Sequence, residues 1–181
     1  MMQPKYNFNI PEELFKTIED EFGGEIIAQK YLDSKDITVF NEWGKNLMET
    51  TYKIGTKPEF VDHTYEMIKM VDDKTGEGRF PHEAQRFIEI ACLSIHLMSV
   101  VLIQTAYLKE LSFSIIEGEC TVHKKLKESL SEDEVNSLPC KGGCKTAWQT
   151  IFNILKMNDV EIRQTQEIPR EGMCTFLATK K

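Results

Sequence analysis

Residues 108–120 read LKELSFSIIEGEC. Leu111, Phe113 and Ile115 alternate with Ser112, Ser114 and Ile116, the two-residue period of a half-buried strand. Gly118 allows a bulge or a turn before Cys120. Two more stretches with strand character close the chain: Val160 to Ile168, with Val160, Ile162, Gln164 and Gln166 on one face, and Met173 to Thr179. Pro169–Gly172 alone separates these two, which predicts an antiparallel hairpin. Between the first strand and the last two lie a charged helical piece, His123 to Leu130, and a fresh N-cap at Ser131-Glu132-Asp133-Glu134. Pro139 stops that piece, Gly142–Gly143 forms a flexible hinge, and Lys145 to Met157 is amphipathic through Ala147, Trp148, Ile151, Phe152 and Leu155. Asn158–Asp159 turns the chain. The expected fold is α+β: a helix-rich single domain with a small antiparallel sheet formed mainly by the C-terminal third.

Upstream the period is helical. Residues 1–10 read as a flexible arm, and Pro11 with Glu12 and Glu13 as a first turn. Leu14, Phe15, Ile18 and Phe22 share one face. Gly23–Gly24 interrupts, and Ile26, Ile27, Tyr31 and Leu32 mark a second helix ending near Asp33. Asp36 caps a third, whose apolar face runs from Val39, Phe40 and Trp43 through Leu47 and Met48 to Ile54, with Gly55 placed to end it. Pro58 opens a fourth with Phe60, Val61, Tyr65 and Ile68, and DDKTGEGR, residues 72–79, is a polar loop. No repeat and no linker divides the chain, so residues 1–181 are read as one domain.

Pro81 starts the longest predicted helix, to about Thr105. From Ile90 to Ile103 it is apolar nearly all round, the pattern of a helix packed on most sides. Arg86, Glu89, Cys92, His96 and Ser99 advance by three or four residues and share a face. That stripe is either solvent-facing, a polar line on an internal pocket, or the surround of a satisfied core histidine. In the pocket reading, Glu89 and His96 are the catalytic candidates and Arg86, Cys92 and Ser99 the ligand contacts.

The 181 residues are 41% apolar and 28% charged, with a formal charge of −7. A chain of this length buries about 70% of its unfolded surface and needs neither disulfide nor metal to fold. The acidic balance, with no basic run longer than Lys124–Lys125 or Lys180–Lys181, argues against a nucleic-acid partner. The start MMQPKYNFNIPEELF lacks the basic-then-apolar order of a signal peptide. The apolar run Phe87 to Ile103 contains Glu89 and His96 and falls short of a membrane span. The expectation is a cytoplasmic protein with reduced cysteines, no membrane partner, a small-molecule ligand, and a homodimer allowed.

Four of the five cysteines, Cys120, Cys140, Cys144 and Cys174, lie in the last third with His123. Zinc and iron–sulfur sites need thiolates or imidazoles converging on each metal. Cys120 and His123 are three apart, and Cys140 and Cys144 are four apart around glycines that let the backbone fold about an ion. Zinc or an iron–sulfur cluster is therefore one reading. Buried, unliganded thiols are another. A redox pair of Cys140 and Cys144, with a thiol pKa lowered by Lys141 and Lys145, is a third.

Pro139-Cys140-Lys141, the helix with Trp148 and Phe152, the strand Val160–Ile168 and the ending Pro169-Arg170-Glu171-Gly172-Met173-Cys174-Thr175-Phe176 resemble the C-terminal half of the L-2-amino-thiazoline-4-carboxylic acid hydrolase-like proteins. The glycine and cysteine before an aromatic on the last strand also resemble the 4-vinyl-reductase-type hydrocarbon-binding domains, and Cys120 after a strand fits both. The resemblance spans residues 38–181 loosely and 108–181 better. It implies a small antiparallel sheet with helices packed on it, a pocket between them for a small apolar or heterocyclic molecule, and in some members cysteine-bound metal. Cys120, Cys140 and Cys174 match family-type positions; Cys144 and His123 are this sequence's own.

Two functions follow as expectations. One is a small-molecule-binding or sensor domain with a cysteine-based metal site, its pocket lined by the His96 helix and the sheet. The other is a hydrolase on a small sulfur heterocycle, with Glu89 or His96 as general base and a cysteine as nucleophile or metal ligand.

Overall fold

A computed structural model of the chain describes residues 12–55, 101–106 and 109–181. Three helices come first: α1 (Glu12–Phe22), α2 (Gly24–Ser34) and α3 (Thr38–Gly55). Strands β1 (Val101–Ala106) and β2 (Glu110–Ile116) follow. A 3-10 turn (Glu117–Glu119) leads to helices α4 (Thr121–Ser129), α5 (Glu132–Asn136) and α6 (Lys141–Ile154). Strand β3 (Val160–Gln166), a one-turn helix α7 (Ile168–Glu171) and strand β4 (Met173–Lys180) end the chain. The fold is α+β, as expected. The four strands form one antiparallel sheet in the order β1-β2-β4-β3.

The strand period decides what packs where. Leu111, Phe113 and Ile115 on β2 stand opposite Ala178, Phe176 and Cys174 on β4. All six are buried on one face. Helix α6 supplies Ala147, Trp148, Ile151 and Phe152 to the same core. The Trp148 and Phe113 rings lie 3.7 Å apart between centroids, and Phe113 and Phe176 lie 5.8 Å apart. Aromatic side chains of this kind bury about 150–250 Å² each and dominate the energetics of such a core. The other face is polar: Ser112, Ser114 and Thr175 are buried there. Ser114 Oγ and Thr175 Oγ1 share a hydrogen bond of 2.7 Å.

The helical layer meets α6 and α4 through glycine. A Cβ on Gly44 of α3 would collide with the Gly143 carbonyl and stand 3.0 Å from the Ala147 nitrogen. A Cβ on Gly143 would stand 2.9 Å from the Phe40 carbonyl and 3.1 Å from the Trp43 ring. Helices α3 and α6 therefore touch backbone to backbone. A Cβ on Gly24, at the start of α2, would collide with the Thr121 side chain and stand 2.9 Å from the Val122 nitrogen.

Several boundaries differ from the sequence reading. The helix expected to run to about Thr105 is contradicted at its end: Val101–Ala106 is a strand paired with β2. A short apolar run has no period that separates strand from buried helix, and pairing with β2 wins here. Gly142–Gly143 is the first turn of α6 rather than a hinge, because α3 approaches too closely for any side chain. Pro169–Gly172 is not a plain hairpin loop. Helix α7 fills it, and Gly172, at φ 70°, closes it by donating its N–H to the Ile168 carbonyl at 2.9 Å. A register shift between Gln164 and Gln166 moves Gln166 beside Thr175, off the face it was expected to share. Ile26, expected inside, is 46% exposed.

Other local signals hold. The Asp36 carboxylate accepts from the Thr38 N–H at 2.9 Å and the Thr38 hydroxyl at 2.8 Å, ahead of α3. Ser131 and Glu134 complete a reciprocal capping box on α5. Trp148→Ala should lower unfolding stability by about 3–5 kcal/mol, the range for an emptied aromatic site. Ser131→Ala should cost only about 1 kcal/mol, the worth of one N-cap. Urea denaturation of the two variants beside the parent measures both.

Candidate metal centre

The end of β2 and the start of β4 are neighbours in the sheet, and α6 packs on their buried face through Trp148. Cys174 is the second residue of β4 and stands opposite Ile115, on the face that carries Phe113 and Phe176. Trp148 covers Phe113, and one turn back along α6 is Cys144, with Cys140 at the N-cap. Beyond Ile116 the 3-10 turn is pinned to the β4 entry, where the Glu117 N–H donates to the Gly172 carbonyl at 3.0 Å. That turn delivers Cys120 to the N-cap of α4. Cys140 and Cys174 belong to the buried core, and Cys120 and Cys144 pack against it. All four are free thiols.

All four thiols are raised above their ordinary range, each chiefly by burial. Burial pushes the Cys140 thiol well above its ordinary range, and the neighbouring Cys120, Cys144 and Cys174 push it further. Cys144 is raised by burial, then by Cys120 and Cys174. Cys174 is pushed up to about 11, chiefly by burial. Cys120 is raised by burial, and the backbone N–H groups of His123 and Val122 offset part of that rise. The expected lowering by Lys141 and Lys145 is not found. Lys141 lies 3.7 Å from Glu167 instead, and Lys145 is exposed.

His123 is 3% exposed on α4. Its Nε2 is buried without a hydrogen-bond partner among the described residues. Burial lowers its pKa, while Glu117 raises it and Lys127 lowers it further, so the ring is neutral near pH 7. A neutral imidazole with an unengaged ring nitrogen is the form that ligates metals.

Among the described residues, no group of three or more His, Cys, Asp or Glu side chains is placed so that it could hold a metal ion. The four cysteines share one hydrophobic core, Cys140 and Cys174 within it and Cys120 and Cys144 against it. Their donor chemistry suits zinc or an iron–sulfur cluster. Arg86, Glu89, Cys92, His96 and Ser99 lie outside the described residues.

The glycines at the close helix contacts, Gly24 and Gly44, carry no signal of that role in the sequence. Gly24 reads only as part of the Gly23–Gly24 interruption and Gly44 as a lone glycine inside a helix, and the close neighbours that require them come from distant segments.

No family model matches the chain, and neither a curated protein nor a solved structure is detectably similar to it. No helix among the described residues is long and apolar enough to cross a membrane.

In the metal-free chain the folded state holds thiol protons that the unfolded state releases near its ordinary pKa of 9.0. Unfolding then gains favour as pH rises. Stability is full below about pH 9 and falls from there toward pH 11 for Cys174, by about 3 kcal/mol at 1.36 kcal/mol per pKa unit. Denaturant midpoints measured with chelator and reductant between pH 8 and 11 should fall. In Cys174→Ala they should fall less.

Proposed function

We propose that this chain is a sensor or small-molecule-binding domain with a thiol-ligated soft-metal site at Cys120, Cys140, Cys144 and Cys174. The observation that supports it is that four cysteines, separated by up to 54 positions in sequence, all lie in or against one core. His123, with its unengaged Nε2, is the nitrogen donor nearest Cys120 in sequence. A zinc ion would supply a crosslink between two helix starts and the sheet, and an iron–sulfur cluster a redox couple. The residues themselves supply four thiols that must lose protons on ligation, in a setting that keeps water away.

The ligand part of the reading is supported by the second face of the sheet. Thr175 Oγ1 bonds both Ser114 Oγ, at 2.7 Å, and Gln166 Oε1, at 2.6 Å. Hydroxyls are unusual in place of large apolar residues on a buried sheet face, and a small number of placed polar groups is what fixes a small molecule's orientation in a binding site.

The test is elemental analysis of the full chain purified without oxygen. About one equivalent of zinc, or the iron and sulfide of one cluster, is expected per chain. Cys140→Ser and Cys174→Ser should each lose most of it. Zinc affinity should weaken as pH falls, since ligation releases thiol protons. Substoichiometric metal in the parent, or full metal in both variants, overturns the proposal.

A further inference from the structure

We propose that the free edge of β3 is a self-association surface: a second copy of this chain pairs its own β3 there, antiparallel and two-fold, with Ile162 against Ile162. This stands apart from the metal and ligand readings above.

The backbone says which groups that edge presents. Strand β3 ends the strand order, with β4 as its one strand neighbour among the described residues. The Lys181 N–H donates to the Asp159 carbonyl at 3.0 Å, which makes residues 159 and 181 a hydrogen-bonded pair. Such pairs alternate along an antiparallel ladder. Glu161 with Thr179 and Arg163 with Leu177 are therefore hydrogen-bonded pairs too. Val160, Ile162 and Gln164 turn their N–H and C=O groups away from β4. The Val160 N–H agrees with this, donating to the Met157 carbonyl at 3.1 Å. The register shift between Gln164 and Gln166 ends the regular edge. The other edge strand, β1, is interrupted mid-strand by its shift between Ile103 and Thr105, so β3 offers the longer regular edge.

Charge then selects one register. Val160 and Ile162 are buried in the core, so Glu161 and Arg163 lie on the opposite face of the strand, where both are exposed. Glu161 meets Lys181 at 3.6 Å, and Arg163 is in no ion pair among the described residues. An antiparallel copy must bond through its own outward-turned residues. With the two-fold axis at Ile162, Ile162 bonds its copy and the Gln164 N–H reaches the partner's Val160 carbonyl. Glu161 then stands opposite the partner's Arg163, twice by symmetry, at the non-hydrogen-bonded positions where side chains come closest. An axis at Glu161 or at Arg163 would instead set like charges face to face. Opposite charges directly across a pair of strands stabilise it, and like charges destabilise it.

This pairing occupies the β3 edge of both copies, so association stops at a closed dimer. About five residues a side is well below the roughly 20–30 of a stable complex, so the dimer is weak and grows with concentration.

The experiment is sedimentation equilibrium of the reduced full chain with chelator, from about 1 µM to about 0.5 mM. A reversible monomer–dimer equilibrium is expected. Arg163→Glu and Glu161→Arg each place like charges opposite one another and should weaken it at least about 5-fold. The variant carrying both changes restores the opposite charges and should return to the parent's constant. Amide exchange reads the same contact by residue. The N–H groups of Ile162 and Gln164 should exchange more slowly as concentration rises, and those of Glu161 and Arg163, already bonded to β4, should not. A chain that stays monomeric throughout overturns the inference. So does a dimer that ignores both single changes, or one the double variant does not restore, because it then forms through another surface.

Discussion

Helix α6 is enclosed on two sides, and the closeness of its contact with α3 constrains everything around it. Gly44 and Gly143 bring the two backbones together with no side chain between. Glycine inside a helix costs about 1 kcal/mol relative to alanine, and α6 carries two in its first turn. That local cost is offset by the burial of Trp148, Ile151 and Phe152 against Phe113 and Phe176 on the other side of the helix. The first turn of α6 is thus held by tertiary packing rather than by its own propensity. It is also the turn that carries Cys140 and Cys144.

The cysteines take their places from the same packing: Cys174 lies two residues before Phe176 on the buried face of β4, and Cys140 and Cys144 precede Trp148 on α6. Neutral thiols pack there as small hydrophobes, so the core is complete without a metal, in keeping with a chain long enough to fold on apolar burial alone.

The two faces of the sheet divide the labour. One holds aromatic and aliphatic residues and meets α6. The other buries Ser112, Ser114 and Thr175 and draws Gln166 into a hydrogen-bonded line. The β3 irregularity at Gln164/Gln166 creates that line, because one shifted residue turns a side chain to the opposite face. Bulges of this sort re-aim side chains where a plain ladder cannot.

The sequence by itself determined the class of fold. The alternation of Leu111, Phe113 and Ile115, the pattern from Ala147 to Phe152, and the Ser131 cap are local signals, and local signals survive folding because sterics and capping act within a few residues. It also supplied the ligand types, four cysteines and a histidine in one third of the chain. The rest was settled by contacts that no local window contains. Val101–Ala106 became a strand because β2 offered a ladder, and the Gly142–Gly143 pair became helix because α3 came against it. The burial of Cys140 and Cys174 in one core, with Cys120 and Cys144 against it, depends on strand register and on which face of the sheet α6 covers. Register and facing are properties of pairs of segments distant in sequence, which is why spacing along the chain left the thiols as separate possibilities and only the tertiary structure placed them in or against the same core.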